Sequence, residues 1–234
     1  MGLSGWEVKL IYDLRQQMPK KRLNVLSLGH PDILATPKEL EFLGCIYADP
    51  EGVIVSRKGH VRPGIVGNAR PVFDAMGCNL CIIDIDDRLY NIDRAVDLNY
   101  PHLLKEGPFD IIIDPGTTEH CLNVGQALTN IADNLDVGGF VYHMVPLCHW
   151  NHGFWNFSPT VFADFYDAPN GFKVEQINAE HRGKLLPVRT TGKFEIQNNG
   201  RRLSIMCVAR KLENKKITFP MQRKYRDARG LDRV

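Results

Sequence analysis

The segment "IIIDPGTTEH", residues 111–120, joins a strongly apolar strand to a polar turn. Three successive isoleucines are typical of a central strand in a parallel sheet that helices cover on both faces. The strand pattern ends at Asp114, Pro115-Gly116 turns the chain, and Glu119 and His120 follow. Because open parallel sheets bind ligands at the carboxyl ends of their strands, we predict a functional site at this turn.

Strand and helix patterns alternate on both sides of this segment, which favours a parallel sheet with helices on both faces. Two later strands, 172–180 and 203–211, have no helix between them, so we expect them to pair antiparallel at the sheet's edge. The earlier predicted strands are 23–29, 79–86, 95–99, 109–114 and 140–146, with a turn at 136–139 before the last of them. The predicted helices begin after Ser4, Asn68, Asn123 and Ser158, each of which is a helix-capping residue type.

Composition restricts the class of protein. The chain has 234 residues, 44% of them hydrophobic and 24% charged, and we expect one domain over residues 1–234. A net charge of +2 does not favour nucleic acid as a partner, and no apolar run is long enough to span a membrane. Six scattered cysteines and the lack of a signal-peptide core predict a cytoplasmic protein. A basic tail at about 212–234 carries interleaved acids, and we expect it to be solvated.

Cys78 and Cys81 have the spacing of a redox or zinc motif. A redox pair belongs at a helix N-terminus, whereas this pair leads into a predicted strand. A zinc site would need a second pair, and the chain has no other CxxC. We therefore predict that both cysteines fill the core.

The order of these elements resembles that of class I S-adenosylmethionine-dependent methyltransferases. The most specific part is "FDIIIDPGTTEHCLNVGQALTNIADNLDVGGFVYHMVP" (109–146), and "NHGFWNFSPTVFADFY" (151–166) resembles a segment of bacterial methyltransferase-like proteins. The resemblance extends over roughly residues 23–211. It implies a Rossmann-like, doubly wound, mostly parallel seven-stranded sheet with an antiparallel last strand. It also implies S-adenosylmethionine as methyl donor and S-adenosylhomocysteine as product.

The donor's functional groups indicate which residues should bind it. A carboxylate accepts hydrogen bonds from both ribose hydroxyls, so Asp84 is the first candidate for this role and Asp86 the second. The resemblance implies that Asp97-Leu98 read the adenine edge, and Gly29 permits close backbone approach to the amino-acid end. The predicted cofactor-binding residues are Gly29, His30, Asp32, Asp84, Asp86, Asp97, Leu98 and Asp114.

The loop after the first strand departs from the family pattern. Its usual glycine-rich sequence is reduced to "LGHPDIL" (28–34), and an insertion at about 30–67 separates the strand from its helix. We predict that His30 and Asp32 replace backbone contacts and that the insertion forms a lid. A nicotinamide-dependent oxidoreductase would need G-x-G-x-x-G at this point, which the chain lacks. A non-catalytic methyltransferase-like binding module would keep the fold, and it stays an alternative.

Histidines near the fourth and fifth strands indicate the acceptor side. Histidine can take a hydroxyl proton near neutral pH, so His120 is the predicted catalytic base and His152 the alternative. His149-x-x-His152, together with His143, also has metal-ligand spacing, but no suitably spaced acid accompanies it and we predict no metal. The sequence does not exclude an amine or a phenol as the methyl acceptor, and it does not indicate the oligomeric state. The predicted substrate contacts are His149, Trp150, Asn151 and Trp155, which suit a small hydroxylated acceptor such as a sugar or nucleotide sugar.

Overall fold

A mostly parallel sheet of eight strands organises the protein. The computed structural model describes residues 2–44, 64–86, 92–191, 200 and 202–229. The strands are β1 (Gly2–Leu3), β2 (Leu23–Leu28), β3 (Asp32–Ile33), β4 (Cys78–Asp84), β5 (Arg94–Ala95), β6 (Phe109–Asp114), β7 (Leu135–Cys148), β8 (Phe172–His181), β9 (Lys184–Pro187) and β10 (Leu203–Lys211). The helices are α1 (Gly5–Gln16), α2 (Ala69–Ala75), α3 (Val124–Asn134), α4 (Pro159–Phe165) and α5 (Arg223–Arg229). Three 3-10 helices cover Lys38–Leu43, Thr118–His120 and Ala168–Asn170.

The strand order across the sheet is β5-β4-β2-β6-β7-β10-β8-β9. The first five strands pair in parallel, and β10 runs antiparallel to both of its neighbours, β7 and β8. This arrangement confirms the predicted α/β fold and the antiparallel pairing of the last two predicted strands. It differs from the prediction in two respects: β10 lies inside the sheet, and β9 adds an eighth strand at the edge.

The isoleucine run of β6 alternates between the two faces of the sheet. Ile112 packs into the core cluster formed with α3 and α4, whereas Ile111 and Ile113 pack into the cluster formed with α1 and α2. All three side chains are fully buried. The apolar run therefore reflects a central strand covered on both faces, as the sequence predicted.

Local capping signals in the sequence set the starts of the helices. Asn123 accepts a hydrogen bond from the Gln126 backbone and begins α3, and Ser158 accepts one from Thr160 at the start of α4. Before α1, the Glu7 carboxylate accepts hydrogen bonds from the Ser4 backbone and hydroxyl groups. These contacts confirm the predicted helix starts.

Two predicted strand boundaries were wrong. The fifth predicted strand begins at Leu135, directly after α3, so residues 136–139 belong to β7 rather than to a turn. Gly139 makes this possible, because a Cβ there would lie 2.7 Å from the Asp110 carbonyl oxygen of the neighbouring strand. The third predicted strand is only Arg94–Ala95, and the chain leaves the sheet at Val96.

The ends of the predicted insertion lie side by side. The Ile33 and Gly67 backbones exchange hydrogen bonds of 2.8 and 3.0 Å, and Ala35, Leu40 and Val66, which belong to the insertion, are buried in the core. Residues 45–63 lie outside the described residues, and the lid and the single domain both stay predictions. Within the described ranges, no helix combines the length and the apolar character that crossing a membrane requires.

The structure also bears on the predicted roles of the two cysteines and of the basic C-terminal segment. Cys78 is buried and Cys81 half-buried in β4, and burial raises the pKa of each thiol to about 11, which fits the predicted packing role. The basic C-terminal segment is partly packed rather than wholly solvated. Its Thr218 backbone donates to Asn170 and its Arg223 backbone donates to Asp164, each at 3.0 Å.

Two asparagines on α3 hold the loop between β5 and β6. Asn130 accepts from the His102 backbone and donates to the carbonyl of Tyr100, while Asn134 accepts from the Leu104 backbone at 2.7 Å. The Asn134 amide also donates to the His102 carbonyl at 2.8 Å. These amides supply the loop with the backbone partners that a strand would otherwise provide.

Replacing Asn134 with alanine should lower the free energy of unfolding by about 1–3 kcal/mol, because buried backbone groups of His102 and Leu104 lose their partner. Urea unfolding measures the change. The matched control is Asn24→Ala, which removes an exposed asparagine and should cost less than about 0.5 kcal/mol. Equal unfolding midpoints for the two variants would contradict the anchoring role of Asn134.

Candidate functional site

The Asp114 carboxylate, at the end of β6, accepts four hydrogen bonds. Oδ1 accepts from the Thr117 and Thr118 backbones at 2.8 and 3.2 Å, and Oδ2 accepts from the Thr118 hydroxyl at 2.6 Å. His143 Nδ1 donates the fourth at 2.8 Å. Burial of Asp114 works to raise its pKa, but the hydrogen bonds from His143 and Thr118 hold that pKa below its usual value. Asp114 is therefore a buried anion that fixes the turn.

His143 continues this network into the core. Its Nε2 lies 2.8 Å from the Tyr166 hydroxyl, and all three side chains of the Asp114–His143–Tyr166 chain are fully or almost fully buried. This geometry argues against the predicted cofactor contact of Asp114. Asp114 has no lone pair left for the amino end of a cofactor, and His143 cannot join a metal site with His149 and His152.

The turn fixed by Asp114 places Glu119 and His120 at the carboxyl edge of the sheet. Glu119 is 1% exposed, whereas the His120 side chain is half-exposed. The Glu119 carbonyl accepts a hydrogen bond from the Phe154 backbone at 2.8 Å. The loop that follows β7 is thereby pinned over the turn.

This loop brings His152 beside Glu119 and His120. His152 Nε2 lies 3.5 Å and His120 Nε2 lies 3.8 Å from the same oxygen, Glu119 Oε1, and the two imidazole centroids are 5.3 Å apart. The structure thus brings together the two histidines predicted as bases. We call Glu119, His120 and His152 the Glu119 cluster. Glu119 was not among the predicted site residues; its only sequence signal was its position next to His120.

The electrostatics of the Glu119 cluster follow from burial. Burial, and then the charge of Asp114, raise the pKa of Glu119 to about 8. Burial and then the Arg202 charge lower the pKa of His152, and burial and then the neighbouring His152 lower that of His149. The shift at Glu119 favours the protonated carboxylic acid at neutral pH, whereas the shifts at His149 and His152 favour the neutral imidazole, which can accept a proton or donate a lone pair.

A second group of predicted residues lies where β2 and β4 end. Gly29 has a φ of +80° and its N–H donates to the Ile83 carbonyl at 2.6 Å, so it lies beside the strand that ends at Asp84. Asp84 is half-buried, and its Oδ1 accepts from the Asp86 backbone at 3.3 Å. The strand ends therefore bring Gly29, Asp84 and Asp86 together.

His30 and Asp32 follow Gly29 in a buried position. His30 Nδ1 lies 3.7 Å from Asp32 Oδ1, which is too long for a hydrogen bond. Among the described residues, Asp32 Oδ1 has no hydrogen-bond partner although it is buried. A buried carboxylate oxygen in this state fits a cationic or hydrogen-bonding ligand.

The loop after β5 gives Asp97 and Leu98 different environments. The Val96 N–H donates to the Asp84 carbonyl at 2.9 Å, which brings Asp97 beside the end of β4. Asp97 Oδ1 accepts from the Asn99 backbone and side chain at 2.9 and 2.8 Å. The Leu98 side chain is buried in the core, so only its backbone can contact a ligand.

The predicted substrate residues line the loop that carries His152. Trp150 is 88% exposed, and Asn151 adopts a φ of +55°, which turns the loop back on itself. Trp155 is held beside the turn, because its indole N–H donates to the Cys121 carbonyl at 2.9 Å. His149 lies next to His152, with ring centroids 5.5 Å apart. His149 and Trp155 therefore lie next to the Glu119 cluster, and Trp150 and Asn151 belong to the same loop.

No protein-family model and no curated protein matches the chain. Solved structures to which it is similar are methyltransferases. One is the Burkholderia thailandensis 1,6-didemethyltoxoflavin-N1-methyltransferase with bound 1,6-didemethyltoxoflavin and S-adenosylhomocysteine, at 14% identity over 88% of this chain and 78% of that one, with a TM-score of 0.49. Another is the N-methyltransferase NodS from Bradyrhizobium japonicum WM9 with S-adenosylhomocysteine, at 14% identity over 89% and 87% and a TM-score of 0.46. At such low identity the similarity extends no further than the fold.

Gly153→Ala should lower the free energy of unfolding by about 1–3 kcal/mol, the usual cost of overpacking. A Cβ at this position would lie 2.7 Å from the Glu119 carbonyl oxygen and 2.9 Å from its Cγ, so the loop would have to move away from the turn. Urea unfolding measures the change. The matched control is Gly125→Ala, whose Cβ would meet only the exposed ring of Phe219 and should cost nothing. A Gly153→Ala protein as stable as the control would show that the loop is not held against Glu119.

Proposed function

We propose that the protein transfers a methyl group from S-adenosylmethionine to a hydroxyl group of a small polar acceptor. The observation that carries this proposal is the joining of two groups of polar residues at one edge of the sheet. The Thr117 hydroxyl donates to the Leu28 carbonyl at 2.5 Å, which ties the turn after β6 to the end of β2. The Glu119 cluster thus lies on one side of this contact and Gly29 on the other.

The residues at the ends of β2 and β4 fit the donor. Asp84 would accept hydrogen bonds from the ribose hydroxyls, with Asp86 beside it. The buried, unpartnered Oδ1 of Asp32 suits the positively charged amino group of the donor, and Gly29 allows the backbone to approach closely. When bound, the donor supplies an electrophilic methyl group on a positively charged sulfur.

The Glu119 cluster supports the acceptor side of the proposal. Its two imidazoles are half-exposed, so an acceptor hydroxyl can reach either ring from solvent. His120 would take the hydroxyl proton, with His152 as the alternative. The oxygen then forms its bond to the methyl carbon as the carbon–sulfur bond breaks.

We further propose a sugar or nucleotide sugar as the acceptor. The exposed rings of Trp150 and Trp155 can pack against a sugar face, while Asn151 and His149 can hydrogen-bond its hydroxyls. These side chains border the proposed base, so an acceptor bound on them would present a hydroxyl to His120.

Asp84→Ala should weaken binding of S-adenosylhomocysteine by about 1.5–3 kcal/mol, the range for hydrogen bonds to a charged group. Isothermal titration calorimetry measures the affinity. The matched control is Asp74→Ala, because Asp74 is exposed at the end of α2 and pairs with Arg22, away from the carboxyl ends of the strands. Wild-type affinity in the Asp84→Ala protein would exclude its role in donor binding. No binding of the donor or its product by the wild type would favour the binding-module alternative.

His120→Ala should leave donor affinity intact and lower turnover roughly 100-fold, the typical contribution of a general base. The assay follows S-adenosylhomocysteine formation with a panel of sugars and nucleotide sugars. His102→Ala is the control, since His102 lies in the loop between β5 and β6 that α3 holds through Asn130 and Asn134. Unchanged turnover in His120→Ala would move the proton acceptor to His152.

A further inference from the structure

We propose that Glu119, His120 and His152 bind a divalent first-row transition-metal ion. Among the residues that the structure describes, these three offer ligand atoms that all lie within 4.8 Å of one another. Both imidazoles direct Nε2 towards the same carboxylate oxygen, at 3.5 and 3.8 Å. Three ligand atoms therefore converge on one position. Of the three residues, only Glu119 was not among the predicted site residues.

Glu119 gives the second, independent reason. Its side chain is 1% exposed, and its Oε2 is buried with no hydrogen-bond partner among the described residues. Asp114, which is just as buried, has all of its lone pairs engaged, so it cannot compensate for Glu119 and repels it. A buried carboxyl group without partners is unfavourable, and a cation that replaces its proton supplies a partner. The imidazoles converge on Oε1, so a metal ion bound there would supply that cation to the same carboxyl group.

The chemistry of the ligands selects the ion. Two imidazole nitrogens and one carboxylate oxygen suit Zn²⁺, Co²⁺, Mn²⁺ or Fe²⁺ better than Mg²⁺ or Ca²⁺, which prefer oxygen ligands. Such ions bind imidazole nitrogen and carboxylate oxygen at about 2.0–2.2 Å, which places neighbouring ligand atoms roughly 3 Å apart. The half-exposed imidazoles need to move by only about 1 Å to reach that spacing.

The backbone prepares the ligands for this closure. Glu119 and His120 share the 3-10 helix that Asp114 fixes, so their relative positions are set before any ion binds. His152 arrives on the loop that is pinned by the Phe154 N–H and by the close packing of Gly153 on Glu119. Three protein ligands leave coordination positions open, as in catalytic rather than structural metal sites.

The consequence for catalysis rests on the proposed function, although metal binding itself does not. An acceptor hydroxyl that occupies an open position becomes more acidic, and its proton can leave to solvent without a free imidazole base. The ion would then replace direct proton transfer to His120 as the way in which the Glu119 cluster activates the acceptor.

Cobalt titration of the full chain tests the site directly. After treatment with a chelator and dialysis, Co²⁺ should bind with one equivalent per chain and develop visible absorption, and Zn²⁺ should displace it. His120→Ala and His152→Ala should each weaken Co²⁺ binding by at least about 10–100-fold, since even the loss of a supporting contact costs that much. Both side chains are half-exposed, so these variants should fold, and circular dichroism verifies it.

His102→Ala is the matched control and should bind Co²⁺ like the wild type. Absence of Co²⁺ absorption, or equal affinity in His120→Ala, His152→Ala and the control, would overturn the metal site. Methyl transfer that persists in the presence of a chelator would also overturn its catalytic role and leave the proposed function standing. Tight Co²⁺ binding with no binding of S-adenosylhomocysteine would support the site and contradict the proposed function instead.

Discussion

The four hydrogen bonds to the Asp114 carboxylate connect parts of the protein that are distant in sequence. They fix the turn after β6, hold the His143 ring against one face of the sheet and, through His143, orient the hydroxyl of Tyr166, the residue that follows α4. This turn also contacts the end of β2, because the Thr117 hydroxyl donates to the Leu28 carbonyl. This one buried anion therefore connects the turn after β6 with β7, with Tyr166 and, through Thr117, with the end of β2.

Glu119 lies five residues further along the chain and presents the opposite situation. Both carboxylates are almost completely removed from water, but the hydrogen-bonding capacity of Asp114 is filled by the protein and that of Glu119 is not. A carboxyl group that is buried without partners is unfavourable. Glu119 is nevertheless buried beside Asp114, whose lone pairs are all engaged, and this indicates a position that binds a ligand. The number of donors that the protein directs at each carboxyl group therefore distinguishes the structural role of Asp114 from the binding role that we propose for Glu119.

The sequence predicted the features that depend on local patterns and missed those that depend on distant contacts. The isoleucines of β6 and the caps Asn123 and Ser158 carry their own signals, because alternation and side-chain capping involve neighbouring residues. The roles of His143 and Glu119 could not be predicted in this way. His143 is hydrogen-bonded to Asp114 on another strand, and a loop more than thirty residues away in sequence covers Glu119. The early start of β7 likewise depends on a glycine packed against the neighbouring strand.

The position of β10 has a consequence for the order of assembly. Synthesis reaches residues 203–211 after all the other strands that the structure describes, yet they pair with both β7 and β8 within the sheet. Until this strand arrives, β7 exposes a long, unpaired, apolar edge, and β8 and β9 can form only a separate hairpin. The nascent chain therefore presents two unpaired strand edges, on β7 and β8, until β10 pairs with both. Aggregation and chaperone binding are accordingly most favoured late in synthesis, before β10 has paired.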